Sequence, residues 1–373
     1  MPVRALQFYC GIGGLHLAFS RSMVAGSVVQ AFDWDQTACQ VYAANHAPDI
    51  VQKVDITTLD ATSLVSFRAD LWLLSPACQP YTVLNPTAKG SSDPRAKSFL
   101  HLIQNTLPAL AAIDCHPSRL LIENVAGFET SSTRQILVST LQSLGYVTVE
   151  LLITPLQYGI PNSRLRYYLL AKRSPSTFSN VSTDMGDFGN VWRHIPGHQQ
   201  WTDPRSKSGE LIAAEQNIRQ VKDYLDEDFS HAGHAAHPNT VPDKVLQKWG
   251  RLFDIVSPTS RRTCCFTRGY SQLVERSGSI LQTNEAMNTA DTFDKFLKAQ
   301  SEGQTEALHI LRPLGLRYFS PSELLRIFDF TPLDTYSTFV WPKAISTKSK
   351  YRLIGNSVNV RIVQELINYL FES

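Results

Sequence analysis

The segment Phe8-Tyr9-Cys10-Gly11-Ile12-Gly13-Gly14 joins an apolar run, ALQFYC, to an amphipathic run that starts at Leu15. The apolar run predicts a buried strand, and the spacing after it predicts a helix. Glycines in such a turn let a ligand lie against the main chain at the carboxyl end of a strand, where a doubly wound sheet binds its cofactor. A tight strand-to-helix connection that binds nothing is the alternative interpretation.

The same alternation of apolar and amphipathic runs continues to Lys172. The further predicted strands are VVQAFDW, LWLLSP, RLLIENV, VTVELL and RYYLLAKR, and the predicted helices are LHLAFSRSM, TACQVYAANH, KSFLHLIQNTLPAL and TRQILVSTLQSLG. Alternating strands and helices of this kind predict an α/β fold around a mostly parallel sheet.

The pattern changes after Lys172. Ser, Gly, Asp and Pro residues are frequent from Ser174 to about Glu210, which indicates an irregular connection into a second unit. Helical patterns then resume in AAEQNIRQVKDYLDED, VPDKVLQKWGRLFDIV, SPSELLRIFDF and NVRIVQELINYLFE. We therefore predict a first domain over 1–185, a smaller second domain over 186–317, and a return to the first domain over 318–373.

Composition limits the class of protein. The 373 residues carry a formal net charge of +2, which gives no general electrostatic argument for a polyanionic partner. Basic residues are clustered locally, as in Lys343, Lys348, Lys350 and Arg352. The six cysteines show no C-x-x-C spacing, which argues against a metal site or a disulfide framework and favours free thiols.

The N-terminal sequence lacks the pattern of a signal peptide, and no apolar run reaches the roughly 18 residues of a membrane span. We therefore expect an intracellular protein in the cytoplasm, with the nucleus as a second location, and no membrane partner.

Two acidic turns join the glycine-rich turn at the same sheet edge. Asp33-Trp34 ends the second predicted strand, where a carboxylate accepts hydrogen bonds from ribose hydroxyls and an indole stacks on adenine. Asp55-Ile56 ends a third strand-like segment and is suited to bind the adenine amino group and cover its face. The glycine spacing departs from both G-x-G-x-x-G and the phosphate-binding loop, which favours a nucleoside without a pyrophosphate.

The strand LWLLS delivers Ser75-Pro76-Ala77-Cys78-Gln79-Pro80 to this edge. Prolines on both sides of Cys78 restrict the loop, as a nucleophile requires. A lone cysteine is more often a small buried apolar residue, and only its position in this loop favours a nucleophile.

Taken together, the ordered motifs resemble those of the cytosine-5 methyltransferases. They are F-x-x-G-x-G-G at Phe8, the Pro-x-Cys-Gln loop, Glu123-Asn124-Val125, Gln157 to Pro161 followed by Ser163-Arg164-Leu165-Arg166, and Gly355-Asn356-Ser357-Val358. They span 8–166 and 318–360, a little over half the chain. Ala77 departs from the family, which usually has proline directly before the nucleophile.

The resemblance implies a Rossmann-like S-adenosylmethionine-dependent methyltransferase sheet with a smaller target-recognition domain. It assigns catalysis to Cys78, Glu123, Arg164 and Arg166, with Cys78 as the thiolate that adds to C6 of cytosine. S-adenosylmethionine is then the cofactor, and no metal is expected. The predicted cofactor residues are Phe8, Gly11, Ile12, Gly13, Gly14, Asp33, Trp34, Asp55, Ile56, Ser75, Asn356 and Ser357.

A further segment, Cys265-Phe266-Thr267-Arg268-Gly269-Tyr270, is similar to a signature of the RNA-methylating branch of this family. That branch methylates cytosine 38 in the anticodon loop of tRNA-Asp, and arginines beside aromatic residues suit single-stranded loops. The predicted nucleic-acid contacts are Arg261, Arg262, Cys265, Thr267, Arg268 and Tyr270. We expect a monomer that acts on tRNA. The alternatives are a DNA cytosine-5 methyltransferase and a non-catalytic RNA-binding protein.

Overall fold

Parallel strands form most of the large sheet in the computed structural model, which describes residues 1–82, 89–181, 190–201, 217–227, 237–334 and 337–372. Within these ranges the sheet has eight strands in the order β3-β2-β1-β4-β5-β7-β6-β8. They are β1 (Val3–Phe8), β2 (Gly26–Asp33), β3 (Val51–Lys53), β4 (Leu71–Leu74), β5 (Arg119–Val125), β6 (Tyr146–Ile153), β7 (Arg166–Arg173) and β8 (Val191–Trp192). β7 is antiparallel to both β5 and β6.

The strand order reverses at β1. The chain proceeds from β1 through β2 to β3 on one side and then returns to place β4 on the other side of β1. Open α/β sheets bind ligands at such a reversal, outside the carboxyl ends of the strands. The turn after Phe8 and the loop after Leu74 both leave the sheet at this point.

Helices cover both faces of the sheet. Those of the first domain are α1 (Gly14–Arg21), α2 (Gln36–Asn45), α3 (Ala61–Val65), α4 (Lys97–His101), α5 (Leu107–Ala112) and α6 (Ser132–Ser143). Successive residues of β5 enter opposite apolar clusters, with Leu121 in one and Leu120 and Ile122 in the other. This alternation follows from the two-residue period of a strand.

The second domain has a small core of its own. It contains α7 (Asp243–Trp249), β9 (Ile255–Val256), β10 (Ile280–Gln282), α8 (Thr289–Ser301) and β11 (Leu316–Arg317), and the strands pair in the order β11-β10-β9. The chain then returns to the first domain through α9 (Pro321–Ile327), α10 (Thr347–Gly355) and α11 (Val360–Phe371). The predicted boundary at residue 185 lies outside the described residues.

The fold-class prediction is confirmed, and all six predicted strands form. The prediction of a helix over 213–228 is wrong where that segment is described, since 221–224 makes a single 3-10 turn. The reason is tertiary: the main-chain N–H of Val221 and that of Lys222 donate to the carbonyls of Ser260 and Pro258 instead of to a helical turn. Helix α8 and the small sheet were not predicted.

Candidate active site

The glycine-rich turn is held open by an acidic side chain from the next strand. The main-chain N–H of Gly11 donates to Asp33 Oδ2 at 2.8 Å, and the N–H of Asp35 donates to Asp33 Oδ1 at 2.8 Å. Gly11 has φ +52°, and a Cβ placed there would meet no atom within 4 Å. The turn thus presents bare main chain to open space, as close approach of a ligand requires.

The next two glycines are required by close packing. A Cβ on Gly13 would lie 2.1 Å from His46 Nε2, and one on Gly14 would lie 2.8 Å from Val358 Cγ2 and 3.0 Å from Ser357 Oγ. Only glycine permits these approaches. The packing brings the predicted Asn356-Ser357 motif near the C-terminus against the turn near the N-terminus.

His16 and His46 form a stacked pair that was not predicted from the sequence, and His46 packs against Gly13 of the glycine-rich turn. The rings of His16 and His46 stack with centroids 4.0 Å apart, and His16 Nδ1 lies 2.6 Å from Tyr42 Oη. Burial and the charge of His46 lower the pKa of His16 to about 3. Burial lowers the pKa of His46 to about 4. A lone histidine on an amphipathic helix gives no sequence signal for such a pair.

The predicted adenosine contacts separate into exposed and buried groups. The Trp34 side chain is 68% exposed, with Lys53 Nζ 5.9 Å from its ring centroid, and Asp55 lies exposed at the neighbouring turn. Phe8, Ile12 and Ile56 are 0%, 1% and 3% exposed. The side chains of these three residues therefore pack largely in the core, and their predicted contacts with the cofactor stay predictions.

The Cys78 loop is tied to both neighbouring strands. Ser75 Oγ donates to the carbonyl of Tyr9 at 3.0 Å, and Asn124 Nδ2 donates to the carbonyl of Pro76 at 3.2 Å. The carbonyl of Cys78 accepts from the N–H groups of Tyr81 and Thr82, at 3.0 and 3.1 Å. These bonds fix the loop although Ala77 replaces the expected proline.

Glu123 and Arg166 lie side by side because of the antiparallel register of β5 and β7. Glu123 pairs with Tyr168 and Val125 pairs with Arg166, so the two charged side chains lie diagonally on one face. Arg166 Nε is 3.6 Å from Glu123 Oε1. Burial raises the pKa of Glu123 despite the opposing charges of Arg166 and Arg164, which favours the protonated carboxyl that a proton donor requires.

The charges of Glu123, Arg164 and Arg166 also shift the pKa of the Cys78 thiol. Burial raises its pKa, and Arg166, Arg164 and Arg268 act in the opposite direction, whereas Glu123 adds to the increase. The exposed Arg268 of the second domain therefore lies close enough to lower the pKa of a thiol in the first domain. Without a substrate, the site favours the thiol form of Cys78.

Arg164 has a different place from the one predicted. It is 3% exposed, and its guanidinium donates to the carbonyls of Phe266, Ser357 and Gly355 at 2.7, 2.6 and 3.1 Å. The predicted catalytic role of Arg164 does not fit this burial, because Nη1 and Nη2 bond main-chain carbonyls and the buried Nε has no hydrogen-bond partner among the described residues. Arg164 is a positioning residue that joins the second domain to the Gly355-Asn356-Ser357 turn.

A second thiol lies in the arginine pair. Cys265 Sγ accepts from Arg164 Nη1 at 3.4 Å and from Arg166 Nη2 at 3.5 Å. Burial alone raises the pKa of Cys265, but the two guanidinium groups outweigh burial and lower it. The predicted residue thus lies at the site, and its thiol is closer to ionisation than that of Cys78.

The other residues predicted to contact nucleic acid differ in their exposure to solvent. Tyr270 is 1% exposed, and its hydroxyl donates to the carbonyl of Ser279 and accepts from the N–H of Phe319, so its predicted contact with RNA is wrong. Arg262 is exposed and pairs with Asp254 at 2.8 Å, and Arg261 donates to the carbonyl of Ile218.

The remaining member of this set, Thr267, lies against the first domain. A Cβ on Gly355 would lie 2.2 Å from the carbonyl carbon of Thr267, so the two segments touch through their main chains. The next residue, Arg268, therefore lies beside this contact, and its charge lowers the pKa of Cys78.

Comparison with known proteins agrees with this geometry. The family model for C-5 cytosine-specific DNA methylases matches residues 3–372. The chain belongs to this family. A Bos taurus tRNA (cytosine(38)-C(5))-methyltransferase is 34% identical over 99% of both chains, and a Dictyostelium discoideum DNA (cytosine-5)-methyltransferase is 33% identical over 99% of this chain and 94% of its own length.

Family membership extends to the three-dimensional structure. The crystal structure of the S. pombe Dnmt2 methyltransferase superposes with a TM-score of 0.74 at 33% identity, covering 99% of this chain and 98% of the other. The family explains why a cysteine, a buried acid and arginines meet at a sheet edge beside an open glycine-rich turn.

Proposed function

We propose that the protein methylates C5 of a cytosine in tRNA, with S-adenosylmethionine as the methyl donor and Cys78 as the covalent nucleophile. The observation that carries this proposal is the convergence of Cys78, Glu123 and Arg166 at the edge that also holds the Gly11 turn. The specific substrate we propose is cytosine 38 in the anticodon loop of tRNA-Asp.

The chain's own residues account for the steps at the base. The Cys78 thiolate adds to C6 while Glu123 gives a proton to N3, so that the electron pair of the C5–C6 bond becomes available at C5. S-adenosylmethionine supplies an electrophilic methyl group, which C5 takes up with release of S-adenosylhomocysteine. Transfer of the C5 proton to a water molecule then re-forms the C5–C6 double bond and expels the Cys78 thiolate from C6, while the N3 proton returns to Glu123. Arg166 holds the Glu123 carboxyl in place throughout.

The cofactor turns fit an adenosine-containing donor. Gly11 offers open main chain, Trp34 offers an exposed ring, and the exposed Asp55 carboxylate accepts from the N–H of Thr57 at 2.9 Å, a bond that contributes to lowering its pKa. An ionised acceptor beside an aromatic surface suits an adenine amino group and ring. Ser357 closes the opposite side through its contact with Gly14.

Support for RNA over DNA comes from the second domain and from the relatives. The Cys265–Tyr270 signature lies against the active site, and relatives named as tRNA (cytosine(38)-C(5))-methyltransferases match over nearly their whole length. The Dictyostelium relative named as a DNA methyltransferase makes DNA the second candidate. We further propose a monomer located in the cytoplasm. In the described parts of the chain, every helix is too short or too polar to span a bilayer.

The test is methyl transfer from labelled S-adenosylmethionine to total tRNA or to duplex DNA, with the label then located in the nucleic acid. We expect label in tRNA-Asp with the wild-type protein and none with Cys78→Ala. Cys115→Ala is the matched control, because Cys115 is an exposed thiol away from the described site. Label in DNA alone would refute the RNA proposal, and label retained by Cys78→Ala would refute the nucleophile.

A further inference from the structure

A cavity of about 530 Å³ lies outside the residues assigned to the site. It is lined by Leu325 and Arg326 of α9, by Phe339 and Trp341 of the described segment 337–341, and by Lys350 of α10. From this arrangement we propose that the cavity binds an unpaired nucleotide of the RNA substrate other than the target cytosine. The inference rests on the proposed function for the identity of the RNA.

The aromatic residues of the cavity form a surface on which a base can stack. The rings of Phe339 and Trp341 have centroids 4.9 Å apart, and Phe339 in turn packs edge-on against Phe330 at 5.5 Å. Asn45 clamps the segment between them by donating to the carbonyl of Val340 at 2.8 Å and accepting from its N–H at 2.7 Å. The Phe339 and Trp341 rings are therefore held in position before any ligand binds, which lowers the entropic cost of binding.

Polar groups of the cavity suit the rest of a nucleotide. Lys350 Nζ lies 5.5 Å from the Trp341 ring centroid, and among the described residues it has no acidic partner within salt-bridge distance. Its charge is thus available to a phosphate. In contrast, Arg326 is neutralised by Asp226.

A hydroxyl offers hydrogen bonding to a base edge. Ser337 Oγ is buried and has no hydrogen-bond partner among the described residues, although buried hydroxyl groups normally have one. An entering base can satisfy it as donor or acceptor. The exposed Lys343 and Lys348 lie along the same stretch of chain and extend the positive charge beyond the rim.

The cavity is connected to the active site by one rigid element. Lys350 lies five residues before Gly355, an axial rise of about 7.5 Å in a helix. Gly355 contacts both Arg164 and the Thr267 main chain. The helix that contributes Lys350 to the cavity thus also contacts Arg164 and Thr267 beside the active site, which connects the two places through one element.

The test compares Trp341→Ala with Trp249→Ala in the full-length protein, using a 17-nucleotide RNA hairpin with an unpaired loop. Trp249 is the matched control, since Lys248 Nζ lies 4.8 Å from its ring centroid but it does not line the cavity. We expect Trp341→Ala to raise the KM for RNA by roughly 5- to 100-fold, the loss of one stacked base. The kcat and the S-adenosylmethionine affinity should stay unchanged, and Trp341→Phe should retain most of the RNA affinity.

A set of hairpins with one abasic loop position each then identifies the nucleotide. One non-target position should reproduce the loss, and combining it with Trp341→Ala should add nothing further. Equal effects of Trp341→Ala and Trp249→Ala, or additive effects at every position, would overturn the proposal. The proposal would also be overturned if free adenosine monophosphate bound tightly in a manner that required Trp341, while Trp341→Ala left the KM for RNA unchanged. RNA binding measured by anisotropy keeps the test independent of methyl transfer.

Discussion

Replacing Arg164 should damage cofactor binding as well as methyl transfer, because this side chain joins three parts of the chain. Its guanidinium donates to the carbonyls of Phe266, Gly355 and Ser357, and Ser357 packs on Gly14 of the cofactor turn. Hydrogen bonds from a charged donor contribute about 1.5–3 kcal/mol each, and a buried acceptor left without a partner costs about 1–3 kcal/mol. Allowing for relaxation and water entry, we expect Arg164→Ala to lower the free energy of unfolding by about 3–5 kcal/mol.

Urea unfolding measures that loss, and calorimetry with S-adenosylmethionine measures the weakened site. Arg119→Ala is the control, because Arg119 also donates to a carbonyl, that of Leu370 at 3.2 Å, and its guanidinium carbon lies 4.3 Å from the ring centroid of Phe371, away from the described site. It should reduce stability and leave the cofactor affinity of the folded protein unchanged. A loss below about 1 kcal/mol for Arg164→Ala, or unaltered cofactor affinity, would refute the positioning role.

Other perturbations test separate parts of the site. Trp34→Ala should weaken S-adenosylmethionine binding about 5- to 30-fold with a stability change within about 0.5 kcal/mol, because the ring is exposed; equal affinity in calorimetry would contradict stacking. Burial raises the pKa of Asp329 from 3.8 to about 6, so its stabilising contribution is complete below pH 3.8 and lost by about pH 6. Asp329→Asn should therefore raise stability above pH 6 by up to about 3 kcal/mol, and parallel pH curves would argue against it. The lowered pKa values of His16 and His46 predict that stability falls as the pH drops below 6.5, which acid titration by circular dichroism measures. The raised pKa of Cys78 predicts single-turnover methyl transfer that quickens with rising pH, and a flat profile would contradict a thiol resting state.

Local patterns were enough to predict six strands of the sheet, since each appears in the sequence as an apolar run that ends at a polar or loop-forming residue. Cys78, Glu123 and Asp33 follow apolar runs whose carboxyl ends must meet at one edge of a parallel sheet. The predicted position of these residues needed no knowledge of the second domain. Their placement could therefore be inferred from the sequence, although their roles stay predictions.

Contacts between distant segments could not be predicted in this way. Arg164 and Tyr270 have the residue types of an RNA-binding surface, yet both are buried by partners about 50 to 190 residues away. No periodicity in the sequence predicts that the main-chain N–H of Phe319 donates to the buried Tyr270 hydroxyl, or that His46 packs against Gly13. Such pairings depend on how the second domain packs against the first, which only the folded chain defines.

The distribution of charge at the site indicates what binding of RNA must change. Burial shifts both Glu123 and Cys78 toward their protonated forms, whereas Arg164 and Arg166 favour ionisation of Cys265. The arginine charge is thus shared with a neighbouring thiol rather than reserved for the nucleophile. In the proposed mechanism, transfer of the Glu123 proton to cytosine N3 leaves a carboxylate beside Arg166, and its charge then offsets part of the effect of Arg166 on the pKa of Cys78. After Arg166 and Arg164, the exposed Arg268 also lowers the pKa of Cys78, and its neighbour Thr267 contacts Gly355 through the main chain. The second domain thus contributes a positive charge that favours the thiolate form of Cys78, a residue of the first domain.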